Sequence, residues 1–361
     1  MVQRIAVGLD VHARSVIGHG IDQVTGEVFT KTMGCDPAGI LGWVAGLPGP
    51  ATVAYEAGPT GYGLARAFAA AGMDCVVAAP SKLLPAPGSR VKTDRRDAKH
   101  LAGLVAAGLV TPVRVPGVAE EAARDLVRAR DQARGDLMRA RHRLSKLLLR
   151  YGHVWRGKKA WTGPHRLWLE GIRLDDPVAQ IVLDNDWMVV QQATTRRDLL
   201  DARIKALIPG SCWEPVVRAL CCLRGVSELT AFGLAVEIGD WDRFTAPSLG
   251  SYLGLVPSER SSGGSRWQGG VTKTGNKYAR RLLVEAAWHH RSAYRPAGSA
   301  DLRRRWADAT PGQVARADQA NRRLHQQWVR FDARKKNPAV ANAAVARQLA
   351  GFCWALVRSA A

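Results

Sequence analysis

The sequence has few of the features that mark secreted or membrane proteins. Its 361 residues include only six cysteines, which form neither a CxxC pair nor the dense framework of a disulfide-stapled domain. It contains no run of eighteen apolar residues, and it lacks the basic and apolar segments of a signal peptide. We therefore expect a cytoplasmic protein with reduced thiols and no membrane partner.

Two further absences narrow the chemistry. There is no GxxxxGK[ST] loop of the kind that holds nucleotide phosphates, which agrees with the expectation that the protein uses no nucleotide cofactor. The adjacent pairs Cys221-Cys222 and His289-His290 do not form a zinc motif, because neighbouring side chains point to opposite sides of a helix or strand. We interpret both pairs as structural.

Acidic residues are scarce relative to basic ones. The chain carries 52 Lys and Arg against 31 Asp and Glu, a net charge of +21. Residues 1–100 have 10 basic and 8 acidic side chains, whereas residues 251–361 have 20 basic and 6 acidic ones. This balance favours a polyanionic partner, with nucleic acid as the leading candidate. Basic runs in the C-terminal region lie at Arg303–Arg305, Arg322-Arg323 and Arg334–Lys336.

Short apolar strands alternate with helical segments in the first hundred residues. Ile5–Asp10, Ser15–Ile21, Ala51–Glu56 and Cys75–Ala79 have the composition of strands, and residues 61–71 that of a helix. This alternation predicts an α/β domain with a partly parallel sheet. Because 361 residues exceed what one core normally holds, two or three domains are expected.

Four carboxylates are candidates for a metal site. Asp10 and Glu56 end two of the predicted strands, at the edge where α/β sheets gather functional groups. Asp94 and Asp97 lie three residues apart at the start of an amphipathic helix and would project side by side. Each residue is also compatible with a turn, a cap or a solvated helix start. If the fold brings all four together, their mutual repulsion requires a hard divalent cation.

The middle of the chain predicts a helical arm. Residues 119–151 place apolar side chains close to a heptad seam, which Arg130 interrupts, and a second helix is predicted over 178–207. The connector at 156–176 contains several Gly and Pro residues. The Arg-rich outer faces fit contact with phosphates, and they equally fit the solvated side of an ordinary packed helix.

A stretch rich in Ser and Gly follows in the region 252–270. Its composition alone predicts a flexible linker. Cations and aromatic rings flank it, however, and cationic groups hold phosphates while aromatic faces stack on bases. The candidate nucleic-acid-binding residues are Arg260, Arg266, Trp267, Lys273, Lys277, Arg280 and Arg281.

Three acidic motifs resemble those of a known family. Gly8-Leu9-Asp10-Val11-His12, Tyr55-Glu56-Ala57-Gly58 and Lys92-Thr93-Asp94-Arg95-Arg96-Asp97-Ala98 are similar to the RuvC-like (RNase H-fold) domain of DEDD transposases. That group includes the Piv-like invertases and the IS-one-ten insertion-sequence family of bridge-RNA-guided serine recombinases. The resemblance implies that Asp10, Glu56, Asp94 and Asp97 bind Mg²⁺, with Mn²⁺ able to substitute.

The second half of the chain resembles the same family. Leu223–Ala231 is similar to the helix-hairpin-helix segment that opens the family's transposase domain, although Arg224 and Ser227 replace its usual Pro and Gly. The Ser/Gly stretch resembles the loop that carries the family's serine nucleophile. Alignment on Gly-Leu-x-Pro places that nucleophile at Ser262, and Ser261 and Ser265 remain alternatives.

The resemblance covers nearly the whole chain and implies three domains. These are a RuvC-like α/β metal domain at 1–118, a helical coiled-coil arm with a connector at 119–208, and a mainly α-helical transposase domain at 209–361. The family's coiled coil also implies a homo-oligomer, either a dimer or a tetramer.

The function implied is that of a recombinase acting in a prokaryotic cytoplasm, on the nucleoid when active. A guide (bridge) RNA would direct it to target and donor DNA. Ser262 would attack a DNA phosphodiester and form a covalent phosphoserine with a free 3′ hydroxyl, so rejoining would need no nucleotide. No His lies near Ser262 in the sequence, so activation is expected from the metal-binding carboxylates.

Two other functions remain open from the sequence. One is a RuvC-like nuclease that hydrolyses DNA junctions with metal-activated water. The other is a non-catalytic nucleic-acid-binding protein in which the four acids are structural. A sugar-kinase-like ATPase also begins with a strand that ends in Asp, but nothing in this chain resembles its later phosphate loops.

Overall fold

The structure is a computed structural model that describes residues 5–84, 93–295 and 300–358. Lys92, which begins the third acidic motif, lies outside the described residues. The chain divides after Gly117 into two compact units, Met1–Gly117 and Val118–Ala361. The arm and the C-terminal helices are therefore in one unit, and the predicted division into three domains stays a prediction.

The N-terminal unit is an α/β domain, as the strand and helix pattern predicts. A mixed five-stranded sheet has the order β3-β2-β1-β4-β5, in which β1 pairs with β2 and β2 with β3 in antiparallel fashion, and β1, β4 and β5 run parallel. Its elements are β1 (Ile5–Val11), β2 (Val16–Asp22), β3 (Val28–Met33), α1 (Pro37–Ala45), β4 (Ala51–Glu56), α2 (Gly63–Ala70), β5 (Asp74–Ala78), a 3-10 turn (Pro80–Lys82) and α3 (Asp94–Ala106).

One face of this sheet is covered by α1 and α2. Leu9, Val53 and Tyr55 point to that face and pack with Ile40 of α1 and Phe68 of α2 in one apolar cluster. Alternate residues of each strand therefore face the other side. Neither β3 nor α1 was predicted from the sequence. β3 is a largely exposed edge strand without an apolar run.

The opposite face is covered by α3 at unusually short range. A Cβ atom at Gly8 of β1 would lie 2.2 Å from the backbone oxygen of Ala98 and 2.5 Å from the nitrogen of Ala102. No side chain larger than hydrogen fits between the strand and the helix backbone. Ala98, Leu101 and Ala102 are buried in this contact.

The C-terminal unit is almost entirely helical, with one small sheet. It contains α4 (Val118–Arg150), α5 (Gly163–Glu170), α6 (Pro177–Leu207), α7 (Glu214–Cys221), α8 (Glu228–Ile238), α9 (Ala246–Tyr252), β6 (Pro257–Ser262), β7 (Ser265–Val271), α10 (Lys277–Ala287), a 3-10 turn (Trp288–Arg291), α11 (Ala300–Ala307), α12 (Pro311–Ala333) and α13 (Pro338–Arg358).

The helices α4 and α6 pack along each other and form the predicted arm. Leu137, Ala140 and Leu144 of α4 are buried at this seam, as the heptad pattern indicates. Arg130, which interrupts the pattern, forms a two-pronged salt bridge with Asp201 of α6, with Nη2 to Oδ2 at 3.1 Å. Arg130 thus interrupts the apolar pattern because it forms an ion pair between the two helices. The predicted connector at 156–176 contains the short helix α5.

The last helix, α13, lies in the core of the C-terminal unit. It contacts α7, α9, α10 and α12, and Val345, Leu349 and Cys353 are fully or almost fully buried. By length and composition α13 could cross a membrane, but half of its most apolar window is buried inside the unit. Its apolar character is accounted for by this packing.

The Ser/Gly stretch forms an ordered β-hairpin, so the linker that composition alone predicts is wrong. β6 and β7 pair in antiparallel register, with Ser262 opposite Ser265 and Arg260 opposite Trp267. The two-residue loop between them is Gly263-Gly264, and Gly263 has a φ of 57°, a conformation that favours glycine. Glycine here makes a tight turn.

We expect Gly8→Ala to destabilise the N-terminal unit by roughly 1–3 kcal/mol, because the added methyl group overpacks the contact with α3. Urea unfolding followed by circular dichroism measures this change. Gly103→Ala is the matched control, since Gly103 is exposed on the same helix with nothing within 4 Å of the added Cβ. The control should be about 0.5–1 kcal/mol more stable than wild type. Equal stability of the two variants would contradict the packing argument.

Candidate functional site

Asp10 and Glu56 lie at the same edge of the sheet. Leu9 of β1 is the register partner of Tyr55 in the parallel strand β4, and Asp10 and Glu56 follow these residues directly. Both carboxylates are therefore on the face that α3 covers, opposite to the apolar cluster. Asp10 is half-buried, with 21% of its side chain exposed, and Glu56 is exposed.

The first turn of α3 brings two more carboxylates to this edge. The backbone nitrogens of Arg96 and Asp97 donate to the oxygen of Thr93, which fixes the start of the helix. Asp94 and Asp97 then lie three residues apart on one side of the first turn. Because α3 packs on Gly8, two residues before Asp10, its N-terminal turn reaches the end of β1.

His12 connects the strand and the helix. Its Nε2 atom lies 3.1 Å from Oδ2 of Asp10 and 3.6 Å from Oδ2 of Asp94. The ligand atoms of these three residues all lie within 4.8 Å of one another, and we call them the Asp10–His12–Asp94 cluster. Two ligands about 2.1 Å from one ion are at most about 4.2 Å apart, so a small closure would fit a divalent cation.

Electrostatics at Asp10 also favour a cation. Burial raises the pKa of the Asp10 carboxyl above its ordinary value of 3.8, and the charges of Asp94 and Asp97 raise it further. His12 lowers the pKa through its charge and its hydrogen bond, but the net direction is upward. Asp97 is therefore within electrostatic range of Asp10. A bound divalent cation would reverse the balance and stabilise the ionised carboxylates.

The predicted tetrad is thus only partly assembled around one point. Asp10 and Asp94 are in the cluster, Asp97 is electrostatically coupled to it, and Glu56 lies at the neighbouring strand end without joining it. His12 lies in the first acidic motif, but it was not predicted as a ligand from the sequence. Its position two residues after Asp10 was the available signal, because alternate residues of a strand share a face.

In the C-terminal unit, the β6–β7 hairpin has two chemically different faces. Cross-strand partners and alternate residues share a face, so Ser262 lies with Ser265, Arg260 and Trp267. The Trp267 side chain is 58% exposed, and the Arg260 guanidinium lies 6.0 Å from its ring centre. Among residues 5–84, 93–295 and 300–358 the Ser262 hydroxyl has no hydrogen-bond partner, whereas Ser265 Oγ donates to the Ser262 backbone oxygen at 3.1 Å.

The other face of the hairpin is occupied by a network centred on Glu259. Its carboxylate accepts hydrogen bonds from the Arg266 guanidinium at 3.0 and 3.2 Å, from Ser261 Oγ at 2.9 Å and from Gln268 at 3.3 Å. These hydrogen bonds hold the pKa of Glu259 below its usual value, and the bond from Arg266 has the largest effect. The Ser261 hydroxyl is therefore engaged on the face opposite to Ser262.

The remaining predicted nucleic-acid-binding residues divide into two groups. Lys273 and Lys277 are exposed near the base of the hairpin. Arg280 donates to the backbone oxygens of Leu253 and Thr274, at 2.9 and 2.7 Å, and so fastens the segments on either side of the hairpin. Arg281 forms ion pairs with Asp131 of α4 and Glu285 of α10. The guanidinium groups of Arg280 and Arg281 thus have structural partners within the C-terminal unit.

The turn between α7 and α8 borders an open groove of about 1030 Å³. Arg224 in this turn donates to the backbone oxygens of Ser292 and Ala293, and Arg305 donates to those of Cys221 and Val226. Both guanidinium groups therefore hold the turn in place.

Two transposase family models match separate parts of the chain. Residues 7–153 match the family model DEDD_Tnp_IS110, described as a transposase, and residues 217–303 match the model described as "Transposase IS116/IS110/IS902 family". A putative transposase of Sinorhizobium fredii is 41% identical over 307 residues, 85% of this chain and 75% of that protein.

Two further relatives carry similar names. A transposase for an insertion sequence element of Leptospira borgpetersenii is 31% identical over 291 residues, 78% of this chain and 82% of that protein. A probable family 20 transposase of Pseudomonas aeruginosa is 26% identical over 337 residues, 89% of this chain and 95% of that protein.

We expect Asp10→Asn to raise the melting temperature of the metal-free protein at pH 7. Because the pKa of Asp10 is higher in the folded than in the unfolded protein, folding favours the protonated form. Stability is therefore lost as pH rises from 3.8 through the folded-state pKa, and Asn avoids this loss. Thermal melts in chelator between pH 4 and 7 measure the difference, which should grow with pH. Glu27→Gln, at an exposed position of the same unit, is the control and should show no such trend.

Proposed function

The chain belongs to the IS116/IS110/IS902 family of transposases, and from this premise we propose that it is a guide-RNA-directed DNA recombinase with a serine nucleophile. Members of a transposase family act on DNA, and the family's DEDD class is associated with divalent metal ions. The proposal assigns the N-terminal unit a RuvC-like metal centre and Ser262 the covalent chemistry. The observation that carries it is the Ser262 hydroxyl, which lacks a hydrogen-bond partner among the described residues and shares a hairpin face with Arg260 and Trp267.

The proposed metal centre consists of Asp10, Glu56, Asp94 and Asp97, with Mg²⁺ as the ion and Mn²⁺ as a substitute. A bound ion would supply Lewis-acid stabilisation of negative charge on the reacting phosphate. The positions of Asp10 and Asp94 support this assignment, since their oxygens lie within 4.8 Å of each other. Glu56 and Asp97 would complete the site from the adjacent strand and the same helical turn.

Each step of the proposed reaction forms one phosphate ester bond and breaks another, so their number does not change. The oxygen of Ser262 bonds to phosphorus, its proton passes to a base, and the bond from phosphorus to the 3′ oxygen of the DNA breaks. The departing oxygen takes a proton and becomes a 3′ hydroxyl. In the second step a 3′ hydroxyl attacks the phosphoserine and the serine leaves, so the strand is rejoined without a nucleotide cofactor.

Charge and aromatic side chains support nucleic-acid partners. Residues 251–361 carry 20 basic and 6 acidic side chains, and Lys273 and Lys277 are exposed beside the hairpin. Arg260 would neutralise a phosphate and Trp267 would stack on a base near it. We propose target and donor DNA and a non-coding bridge RNA as partners of a homo-oligomer that works in the cytoplasm.

We expect Ser262→Ala to abolish the covalent protein–DNA adduct. The adduct is formed with DNA from the ends of the insertion sequence that the proposed recombinase would move. Adducts are measured as radiolabelled DNA that remains with denatured protein on a gel. Ser265→Ala and Ser261→Ala are matched controls on the same hairpin and should retain the adduct. If only Ser261→Ala loses the adduct, the nucleophile is Ser261, on the face of the hairpin that Glu259 occupies. DNA cutting that persists in Ser262→Ala would instead favour a RuvC-like nuclease that acts by hydrolysis.

The same assay tests the metal centre. Asp94→Asn should lower adduct formation by at least about 100-fold, as expected when charge stabilisation at a reacting group is lost. Full activity of Asp94→Asn and Asp10→Asn would show that the acids are structural, and a non-catalytic binding protein would then be the better account.

We expect Trp267→Ala to weaken binding of single-stranded DNA by about 5- to 150-fold, since one stacked base contributes roughly 1–3 kcal/mol. Trp267→Phe keeps an aromatic face and should restore most of the affinity. Fluorescence anisotropy at several salt concentrations measures both variants. Neither removes a charge, so the slope of log affinity against log salt should not change, whereas Lys273→Ala should reduce it by about 0.7. Equal binding by Trp267→Ala and wild type would contradict the stacking role.

A further inference from the structure

His12 occupies a position that the proposed tetrad leaves unexplained. It follows the last residue of β1, and its backbone nitrogen donates to the oxygen of Ser15 at 2.9 Å, which closes the turn into β2. The backbone of His12 is therefore held at the end of the strand. A single ring atom, Nε2, faces both Asp10 and Asp94.

We propose that His12 is a third ligand of this metal centre through Nε2, and that its nitrogen raises the affinity of the centre for Mn²⁺ relative to its affinity for Mg²⁺. The inference rests on the proposed function in one respect, namely that Asp10 and Asp94 hold a divalent cation.

The chemistry of the donor set supports this preference. Mg²⁺ binds oxygen almost exclusively in proteins and keeps several of its waters, so an imidazole gains little by replacing one. Mn²⁺ is the first ion of the first-row divalent series, whose affinity for nitrogen and oxygen sites then rises to Cu²⁺. As a transition-metal ion it gains more than Mg²⁺ from one imidazole beside carboxylates. A set of two carboxylates and one imidazole therefore favours Mn²⁺ relative to an all-oxygen site.

The geometry supports a ligand more than an isolated ion pair. His12 is 52% exposed and Asp94 is 58% exposed, and ion pairs between groups this exposed contribute little stability. Yet Nε2 lies within 4.8 Å of a ligand oxygen on each of two carboxylates from different elements. Three donor atoms from β1, its following turn and α3 thus surround one small space.

The test uses full-length protein freed of nucleic acid, with Mn²⁺ itself as the probe. Electron paramagnetic resonance counts free Mn²⁺ during titration, and Mg²⁺ competition gives the ratio of the two affinities. Electron spin echo envelope modulation of bound Mn²⁺ detects a coordinated imidazole nitrogen directly. The variants are His12→Gln, the exposed control His142→Gln on α4, and Asp10→Asn, and circular dichroism melts check that each is folded.

We expect wild type and His142→Gln to show the nitrogen modulation and His12→Gln to lose it. His12→Gln should also lower the preference for Mn²⁺ over Mg²⁺ by about 10-fold, chiefly through weaker Mn²⁺ binding. Absence of nitrogen modulation in wild type, or an equal loss of both ions in folded His12→Gln, would overturn the inference while leaving the metal centre in place. Undiminished Mn²⁺ binding by Asp10→Asn would instead refute the metal centre itself.

Discussion

The contact between Gly8 and the backbone of α3 determines the geometry of the acidic edge, the edge of the sheet where Asp10, Glu56, Asp94 and Asp97 lie. With no side chain between strand and helix, α3 lies directly on β1, and its first turn reaches the residues that follow the strand. Asp94 and Asp97 are close to Asp10 for this reason. The arrangement has an electrostatic cost, since burial and two neighbouring carboxylates raise the pKa of Asp10. The acidic edge is therefore an arrangement that the fold tolerates, and binding of a cation would relieve the strain among its charges.

The β6–β7 hairpin is held in a different way, because its side chains lie outside a core. The Glu259 network stiffens one face of the hairpin with hydrogen bonds from Arg266, Ser261 and Gln268. At the base, Arg280 fastens the flanking segments through two backbone oxygens. The opposite face then carries Ser262, Arg260 and Trp267. Mechanical support and candidate chemistry are thus separated between the two faces of one small sheet.

Much of the fold was predictable because apolar periodicity reports directly on burial. The strands that carry Asp10 and Glu56, and the two long helices of the arm, follow from such patterns. Arg130 was noted as an interruption, but its partner Asp201 lies 71 residues away and no local pattern indicates the pair. The edge strand β3 was omitted because exposed strands carry little apolar signal.

The candidate site shows the same limit. Sequence spacing placed Asp94 and Asp97 on one side of a helix, yet only tertiary packing decides that Asp94 approaches His12 and that Glu56 stays outside the cluster. Composition also suggested that the Ser/Gly stretch is a linker. Its order comes from cross-strand pairing and from Glu259, which interacts with residues seven and nine positions away. Such non-local contacts cannot be read from composition.

The hairpin has no buried residue in either strand, since every side chain from Pro257 to Ser262 and from Ser265 to Val271 is exposed or half-exposed. Substitutions there remove little apolar packing, so most are nearly neutral for folding. Natural selection can consequently vary Arg260 or Trp267 for their interactions alone. The acidic edge lacks this freedom, because changes beside Gly8 disturb packing as well as chemistry. Divergence among relatives should thus proceed faster at the exposed side chains of the hairpin than beside Gly8 in the sheet.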